Sequence, residues 1–449
     1  MTARSSAGAA NGAAPRTAEV LIIGGGPAGA TAGILLAESG YDVALLEKAR
    51  HPRFHIGESL LPANLPLFER LGVAAQIRAI GMEKWGAEFV SPWHARGETF
   101  QFADAWDKRQ PHAYQVRRSL FDEILLRRAA AVGVRVEEGC RARRVELGAH
   151  GARSRVEALA EDGTASAWEA RFVIDASGRD TLLANQLGIK RRNAKHNSAA
   201  LFAHFAGVGR QAGAQAGNIT IYWFEHGWFW LIPLADGATS VGAVVWPYYL
   251  KSRTQPVARF FLDTIQLCPP LAERLANATL ISEVEATGNY SYSATHSHGA
   301  NYLLLGDAYA FIDPVFSSGV WLAMHSAVAG AAAIDTCLRE PARAAAALRR
   351  FERVMRHGPR EFSWFIYRIT SPTMREFFMH PRNVLRMKEA MLSLLAGDIF
   401  GRTPIWAALR TFKGLYYLTQ LLNPGRTLAA ARRRRSNIHE TPGPVSTSS

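Results

Sequence analysis

The chain has 449 residues, 48% of them hydrophobic, enough for a large core and two or three subdomains. Its 52 Lys and Arg outnumber 38 Asp and Glu, and the net charge of +14 suits an acidic partner; no nucleic-acid motif accompanies it, so nucleic acid is not expected as a ligand. Three widely spaced cysteines, Cys140, Cys268 and Cys337, fit neither a disulfide framework nor a zinc site, so no metal is expected.

The first seventeen residues are rich in Ala, Gly and Ser and lack the apolar core of a signal peptide. They read as a disordered leader. No run of about eighteen uncharged apolar residues suggests a transmembrane segment. A cytoplasmic location is expected.

Val20 to Ile23 and Val43 to Leu46 read as parallel strands, joined by a helix from Pro27 to Glu38. The loop between strand and helix is Gly24-x-Gly26-x-x-Gly29, with Pro27 and Ala28 inside it, and Gly33 follows. Gly24 allows the tight turn, Gly26 lets a pyrophosphate approach the backbone, and Gly29 and Gly33 let the helix sit close to the strand. The helix N-terminus offers N–H groups to phosphates, and Glu47, followed by Lys48, closes the second strand where a ribose would lie. This is a dinucleotide site.

A polar loop containing Glu58 and Ser59 leads to a short helix from Leu65 to Leu71 and then to Lys84, which precedes an apparent strand. Phe89 to Phe102 alternates like one strand. Ser119 and Asp122 have the spacing of a capping box, which places Arg118 at the foot of a helix as a phosphate or ribose contact. Short antiparallel strands are expected at Val134 to Val136, Val145 to Leu147 and Val156 to Ala160, with a turn at His150. An apolar strand then ends at Asp175 in Asp-Ala-Ser-Gly178, where doubly wound sheets place ligand contacts.

Residues 198–247 read as a second, antiparallel sheet that contains Trp228-Phe-Trp230-Leu-Ile232-Pro233. A buried strand then ends in Gly306-Asp307, and a loop from Phe311 through Pro314, Phe316, Ser317 and Ser318 opens an Ala-rich helix at Gly319 and Val320. That arrangement presents a carboxylate to ribose or ribitol hydroxyls and aims helical N–H groups at an anion. Residues 341–430 are helical in composition.

The Gly-rich loop, the Asp-Ala-Ser-Gly turn and the late Gly-Asp together resemble flavoprotein monooxygenases of the glutathione-reductase-type FAD fold. Three further stretches resemble the flavin-dependent halogenases: the WxWxIP motif at Trp228–Pro233, the FxxPxxSxG motif from Phe311 to Gly319, and Lys84 in Lys-x-Gly-Ala, the catalytic lysine of the branch acting on phenols and pyrroles. Gly57-Glu58-Ser59 also matches.

The resemblance implies an α/β architecture, with a Rossmann-like FAD-binding domain, an antiparallel-sheet substrate domain and a C-terminal helical region. The expected boundaries are leader 1–17, FAD domain 18–190 with a substrate-side insertion 85–111, substrate domain 191–290, completion of the FAD domain 291–340, helical region 341–430 and a basic disordered tail 431–449.

It also implies FAD as cofactor, contacted by the Gly-rich loop, Glu47, Lys48, Glu58, Ser59, Arg118, Asp175, Gly306, Asp307, Pro314, Gly319 and Val320. Chloride or bromide is held at Ser318 and Gly319. Reduced FAD and O₂ convert it to hypohalous acid, which reaches Lys84 beside an electron-rich aromatic. Trp228, Trp230, Ile232, Pro233, Phe311 and Phe316 wall the flavin from the substrate.

Tryptophan halogenases carry a Glu where this chain has Phe316, so the resemblance favours a phenol or pyrrole, free or tethered to an acyl or peptidyl carrier protein, in secondary metabolism. With no second dinucleotide loop in the sequence, a separate flavin reductase is expected to supply reduced FAD. The alternative is an FAD-dependent monooxygenase or reductase of a small or lipid-like substrate without halogenation.

Overall fold

The computed structural model describes residues 14–149, 151–288, 291–400 and 403–439. Strand β1 (Arg16–Ile23), helix α1 (Pro27–Glu38) and strand β2 (Val43–Glu47) form the expected parallel βαβ unit. A loop follows with two short helices, Leu65–Arg70 where one is expected and Ala74–Ile80 after it. Then come the short strand β3 (Met82–Lys84), the hairpin β4 (Gly86–Val90) and β5 (Glu98–Gln101), and β6 (Ala113–Gln115), which pairs antiparallel with β3. Phe89 to Phe102 is therefore a hairpin and not one strand, because Pro92 and Gly97 break the extended run.

Helix α2 (Arg118–Ala131) returns the chain to the first sheet, where β7 (Arg135–Glu138) pairs parallel with β2 rather than antiparallel as expected. β8 (Cys140–Glu146), β9 (Ser154–Ala160) and β10 (Ala165–Asp175) form an antiparallel meander. The outer part of β10 pairs with β9, and its inner end runs parallel to β1. The expected turn from His150 to Arg153 is present around Gly151, which has φ +82°, with the Ala152 N–H donating to the Ala149 carbonyl at 2.8 Å; His150 itself lies outside the described residues.

The second sheet is built from β11 (Ala199–Ala206), β12 (Ile219–Phe224), β13 (Gly227–Pro233) and β14 (Thr239–Val245), in the order β11-β14-β13-β12. The β4–β5 hairpin extends it, β4 running parallel to β12. The chain then rejoins the first sheet through β15 (Tyr302–Leu304) beside β10; the two-residue strand β16 (Ala310–Phe311) pairs instead with Tyr292–Ala294 in a small separate sheet, and helix α3 (Gly319–Arg339) follows.

By length and composition α3 could cross a membrane, against the expectation that no segment would. Here it is a core helix: Met324, Ala327 and Ile334 are fully buried in the same apolar cluster as α1 and β1. Helices α4 (Ala344–Ile366), α5 (Pro372–Met379), α6 (Met387–Leu395), α7 (Trp406–Leu422) and α8 (Pro424–His439) complete the C-terminal region. A second core joins α4 to α7 with Trp228, Trp230 and Phe89 of the second sheet.

Both expected termini need correction. Residues 1–13 lie outside the described residues, but Arg16 and Thr17 pair with Trp168 and Glu169, because the eleven-residue β10 offers a partner edge that far out. The basic tail begins as helix: arginine is a good helix former, and Arg434 donates to the backbone carbonyls of Tyr367 and Lys195. Residues 440–449 are outside the described set.

Candidate active site

A cleft of about 720 Å³ lies between the two sheets, within the range of ligand pockets. The Gly-rich loop forms one end. Gly24 has φ +104°, and a Cβ there would lie 2.3 Å from the carbonyl oxygen of Ala176; a Cβ at Gly29 would lie 1.9 Å from that of Gly24. At Gly26 the same position faces open space, with Arg53 Nη2 at 3.7 Å, so a phosphate can approach that backbone. Gly33 has only ordinary contacts around its Cβ position, so helix packing does not demand glycine there.

Arg53, Lys48, Arg141, Arg143 and Arg179 line this end, a donor set suited to a pyrophosphate. Of these, only Lys48 is among the residues expected from the sequence; it is held by Asp180, which also lies 3.9 Å from Arg141, while Arg53 pairs with Glu47 (3.7 Å) and Asp122 (3.4 Å) and Arg179 donates to Thr287 Oγ1. Buried Glu47 accepts from the N–H groups of Gly25 (2.6 Å) and Ala49 (2.9 Å), and still borders the cleft.

Asp307 lines the cleft where β15 ends, and among the described residues its carboxylate has no hydrogen-bond partner. Burial raises its pKa to about 6. An acceptor left unpaired in a pocket fits a ligand hydroxyl. With the glycine cradle and the arginines, the residues present fit FAD.

Two expected cofactor contacts are engaged otherwise. Asp175 lies outside the cleft lining, since Oδ1 accepts from Ser177 N (2.9 Å) and Oδ2 from Leu183 N (2.7 Å). It stabilises the turn that brings Ala176, Ser177 and Gly178 to the cleft. Arg118 does line the cleft, but it makes a bidentate pair with Asp122, at 2.8 and 2.9 Å, and donates to the carbonyl of Ile56. Asp122 is thereby committed to Arg118, and the expected capping box does not form.

At the opposite end, Trp228, Trp230 and Ile232 of β13 and Phe311 of β16 form the wall. Alternation along β13 puts the three on one face. Gly242 lies opposite Trp230, and a Cβ there would sit 2.1 Å from the indole, so the ring lies flat on β14 with Nε1 donating to Ser240 Oγ at 3.2 Å. Pro233 ends the strand outside the lining.

Phe316 is not part of the wall: its ring packs against Phe362 and Phe365 of α4, at 6.5 and 6.4 Å between centroids. The turn at Ser317, with φ +55°, sends it toward the helical core. Pro314, Ser317, Gly319 and Val320 border the cleft, while Ser318 faces a small adjoining cavity. Ser318 and Gly319 stand at the start of α3, where backbone N–H groups have no intrahelical acceptor.

Lys84 is buried behind the cleft wall. Its Nζ donates to Ser59 Oγ (2.9 Å) and to the carbonyl of Leu60 (3.1 Å), and lies 5.3 Å from the centre of the Phe102 ring. Burial lowers its pKa to about 7. Ser59 lines the cleft, as does Glu58, whose carboxylate is paired with His204 Nε2 at 3.0 and 3.1 Å. His204 belongs to no motif, and its inward position on β11 was the one available signal.

A family model for the FAD binding domain matches residues 17–353. The chain is 30% identical over 409 residues to 1H-pyrrole-2-carbonyl-[peptidyl-carrier protein] chlorinase of Pseudomonas fluorescens, covering 85% of this chain and 89% of that one. The chain belongs to the flavin-dependent halogenase family. This family member is also 36% identical over 329 residues to a tryptophan 2-halogenase of Chondromyces crocatus, covering 72% of this chain but 62% of that one.

Among solved structures, the myxobacterial chondrochloren halogenase superimposes with a TM-score of 0.76 at 34% identity, covering 87% of this chain and 92% of that one. A flavoprotein/dehydrogenase from Cytophaga hutchinsonii gives 0.82 at 28% identity, covering 91% and 100%. The halogenase fold is thus shared along nearly the whole chain, and FAD is its cofactor.

Proposed function

We propose that this family member is an FADH₂- and O₂-dependent halogenase that acts on an electron-rich aromatic through Lys84. The observation that carries the reading is a primary amine, fully buried, with no carboxylate against it among the described residues and a pKa of about 7, one serine behind an FAD cleft. When bound, reduced FAD supplies with O₂ the oxidising equivalents that turn chloride or bromide into hypohalous acid.

The chain's own residues supply the rest. N–H groups at Ser318 and Gly319 hold the halide at the positive end of α3. Trp228 and Trp230 keep the aromatic substrate off the flavin side, so direct hydroxylation is blocked. Lys84 then either hydrogen-bonds hypohalous acid or takes its halogen, Nζ forming an N–X bond while one amine proton leaves with hydroxide as water. The arene attacks the halogen, loses its ring proton and returns the amine. An ordinary ammonium has no lone pair for that step, which is why desolvation of Lys84 matters.

Phenols and pyrroles, free or on an acyl or peptidyl carrier protein, are the substrate classes we favour. A relative carrying a pyrrole-carrier name supports them, and the +14 charge suits an acidic carrier. Indoles stay in the test set, because Phe316 points away from the wall and a relative carries a tryptophan-halogenase name. A separate flavin reductase is the proposed source of reduced FAD.

The rival is flavin oxidation or reduction of a small or lipid-like substrate without halogen, which the dehydrogenase name of the Cytophaga hutchinsonii neighbour favours. The deciding experiment supplies FAD, a flavin reductase, NADH, O₂ and bromide with free and carrier-bound phenols, pyrroles and indoles. A bromine isotope doublet in the product, lost in Lys84→Ala while flavin oxidation continues, is expected. An oxygenated product without bromine, or bromination unchanged in the variant, overturns the reaction or the residue respectively.

A further inference from the structure

We propose that His94, Glu376 and His380 form a binding site for a divalent metal ion of the zinc type, joining the β4–β5 loop to the end of α5. Their ligating atoms all lie within 4.8 Å of one another. Two imidazoles and one carboxylate are a donor set that zinc takes, leaving a fourth position for water.

The spacing favours a metal over a simple ion pair. His94 Nε2 and Glu376 Oε1 are 3.5 Å apart, long for a hydrogen bond to a carboxylate. Two ligands each about 2.1 Å from a tetrahedral zinc stand about 3.4 Å from each other. A small movement of His380 completes the set.

The surroundings orient the ligands. His94 Nδ1 lies 2.8 Å from Ser91 Oγ, which also accepts from the Trp93 N–H at 3.3 Å, so Ser91 holds the ring with Nε2 toward Glu376. Such outer partners are the usual support of a metal-bound histidine. Glu376 lies in the last turn of α5 and His380 caps it, its backbone N–H donating to the Glu376 carbonyl, which keeps the two residues together at the helix end. The His380 ring stands edge-on to that of His94 at 5.5 Å, and no hydrogen bond to it is present among the described residues. The adjacent cation, Arg375, lies 3.7 Å over the Trp93 ring and makes no ion pair with Glu376 among the described residues.

A metal here would brace the substrate side of the fold. Phe378 of α5, between Glu376 and His380 in sequence, packs against Phe89 and Phe100 of the β4–β5 hairpin at 4.7 and 5.5 Å. That hairpin starts two residues after Lys84. The inference stands apart from the halogenation reading, since it uses none of the cleft residues.

The test uses untagged full-length protein loaded with FAD and stripped with EDTA, titrated with zinc chloride by calorimetry and followed by thermal unfolding. One saturable equivalent and a higher unfolding temperature with zinc are expected. His94→Gln, Glu376→Gln and His380→Gln should each weaken binding at least tenfold, Ser91→Ala less, and His296→Gln not at all. Equal unfolding temperatures of the metal-free variants establish that the fold is intact; should a ligand variant fail to fold, Ser91→Ala alone decides, full affinity counting against the site. Absence of a saturable equivalent, or undiminished binding in the His94→Gln/His380→Gln double variant, overturns the proposal.

Discussion

The amine of Lys84 meets the hydroxyl of Ser59 at 2.9 Å, with no carboxylate in contact with it among the described residues. A lysine is ordinarily anchored by an acid or left in water; this one has only neutral acceptors, Ser59 Oγ and the Leu60 carbonyl, and burial brings its pKa down from 10.5 to about 7. At pH 8 the neutral amine then outnumbers the ammonium by about ten to one, where an unperturbed lysine would show about one neutral in 300. Single-turnover halogenation, with reduced FAD supplied directly, is expected to rise through pH 6 to 8 with an apparent pKa near 7. Lys84→Arg should be inactive at every pH. A flat profile, with flavin oxidation itself pH-independent, would remove the amine lone pair from the mechanism.

The same burial has a cost in stability with a definite sign. Between about pH 7 and 10.5 the unfolded lysine holds a proton that the folded one does not. The wild-type chain therefore gains stability as pH rises through that window, by at most about 1.4 kcal/mol per pH unit. Lys84→Met removes the titration but strands two acceptors, which costs about 1–3 kcal/mol. The expected result is a variant more stable than wild type at pH 7 by on the order of 1–2 kcal/mol, with the difference shrinking toward pH 9. Urea unfolding at both values measures it, and a constant difference would mean that Lys84 is charged in the fold.

Legibility followed how local each partnership is. The βαβ unit could be read because turn, helix and acid lie within one short segment and because Gly24 and Gly29 have steric jobs that the carbonyls of Ala176 and Gly24 enforce, though Gly33 has none. Trp228, Trp230 and Ile232 could be read because alternation along a strand places them together. Motif position did not reveal what a side chain would meet. Asp175 is taken by backbone N–H groups just beyond its own strand, Arg118 by an acid one helical turn on, and Phe316 by α4. The pairing of His204 was illegible for the opposite reason: its partner Glu58 is 146 residues away in sequence.

Phe316 separates a motif role from a packing role. Its ring is buried against Phe362 and Phe365, outside the cleft. Phe316→Ala should cost about 3–5 kcal/mol of stability, as large-to-small core changes do. Phe316→Leu should recover most of it. Neither change is expected to redirect the halogen to another ring position, which product analysis by NMR would reveal. A shift in ring position with unaltered stability would return Phe316 to the substrate wall.

Asp307 pairs a stability cost with a binding gain. Its carboxyl has a pKa of about 6, raised by burial, and borders the cleft without a partner among the described residues. A folded pKa above the unfolded one means that the folded form holds an extra proton between about pH 4 and 6, and that this stabilising difference is lost as pH rises through the folded pKa. At pH 7 the FAD-free fold thus carries a strained carboxylate, which Asp307→Asn should relieve by on the order of 2 kcal/mol. FAD hydroxyls reverse the balance, because a hydrogen bond to a charged acceptor contributes about 1.5–3 kcal/mol. The variant is expected to bind FAD about ten- to a hundredfold more weakly at pH 7.5, and the deficit should narrow at pH 5.5, where the wild-type carboxyl is largely protonated. Equilibrium dialysis against FAD at the two pH values, beside thermal unfolding of the FAD-free proteins, separates the two effects. Equal FAD affinities would place the ribityl or ribose hydroxyls away from Asp307, whatever the stability change.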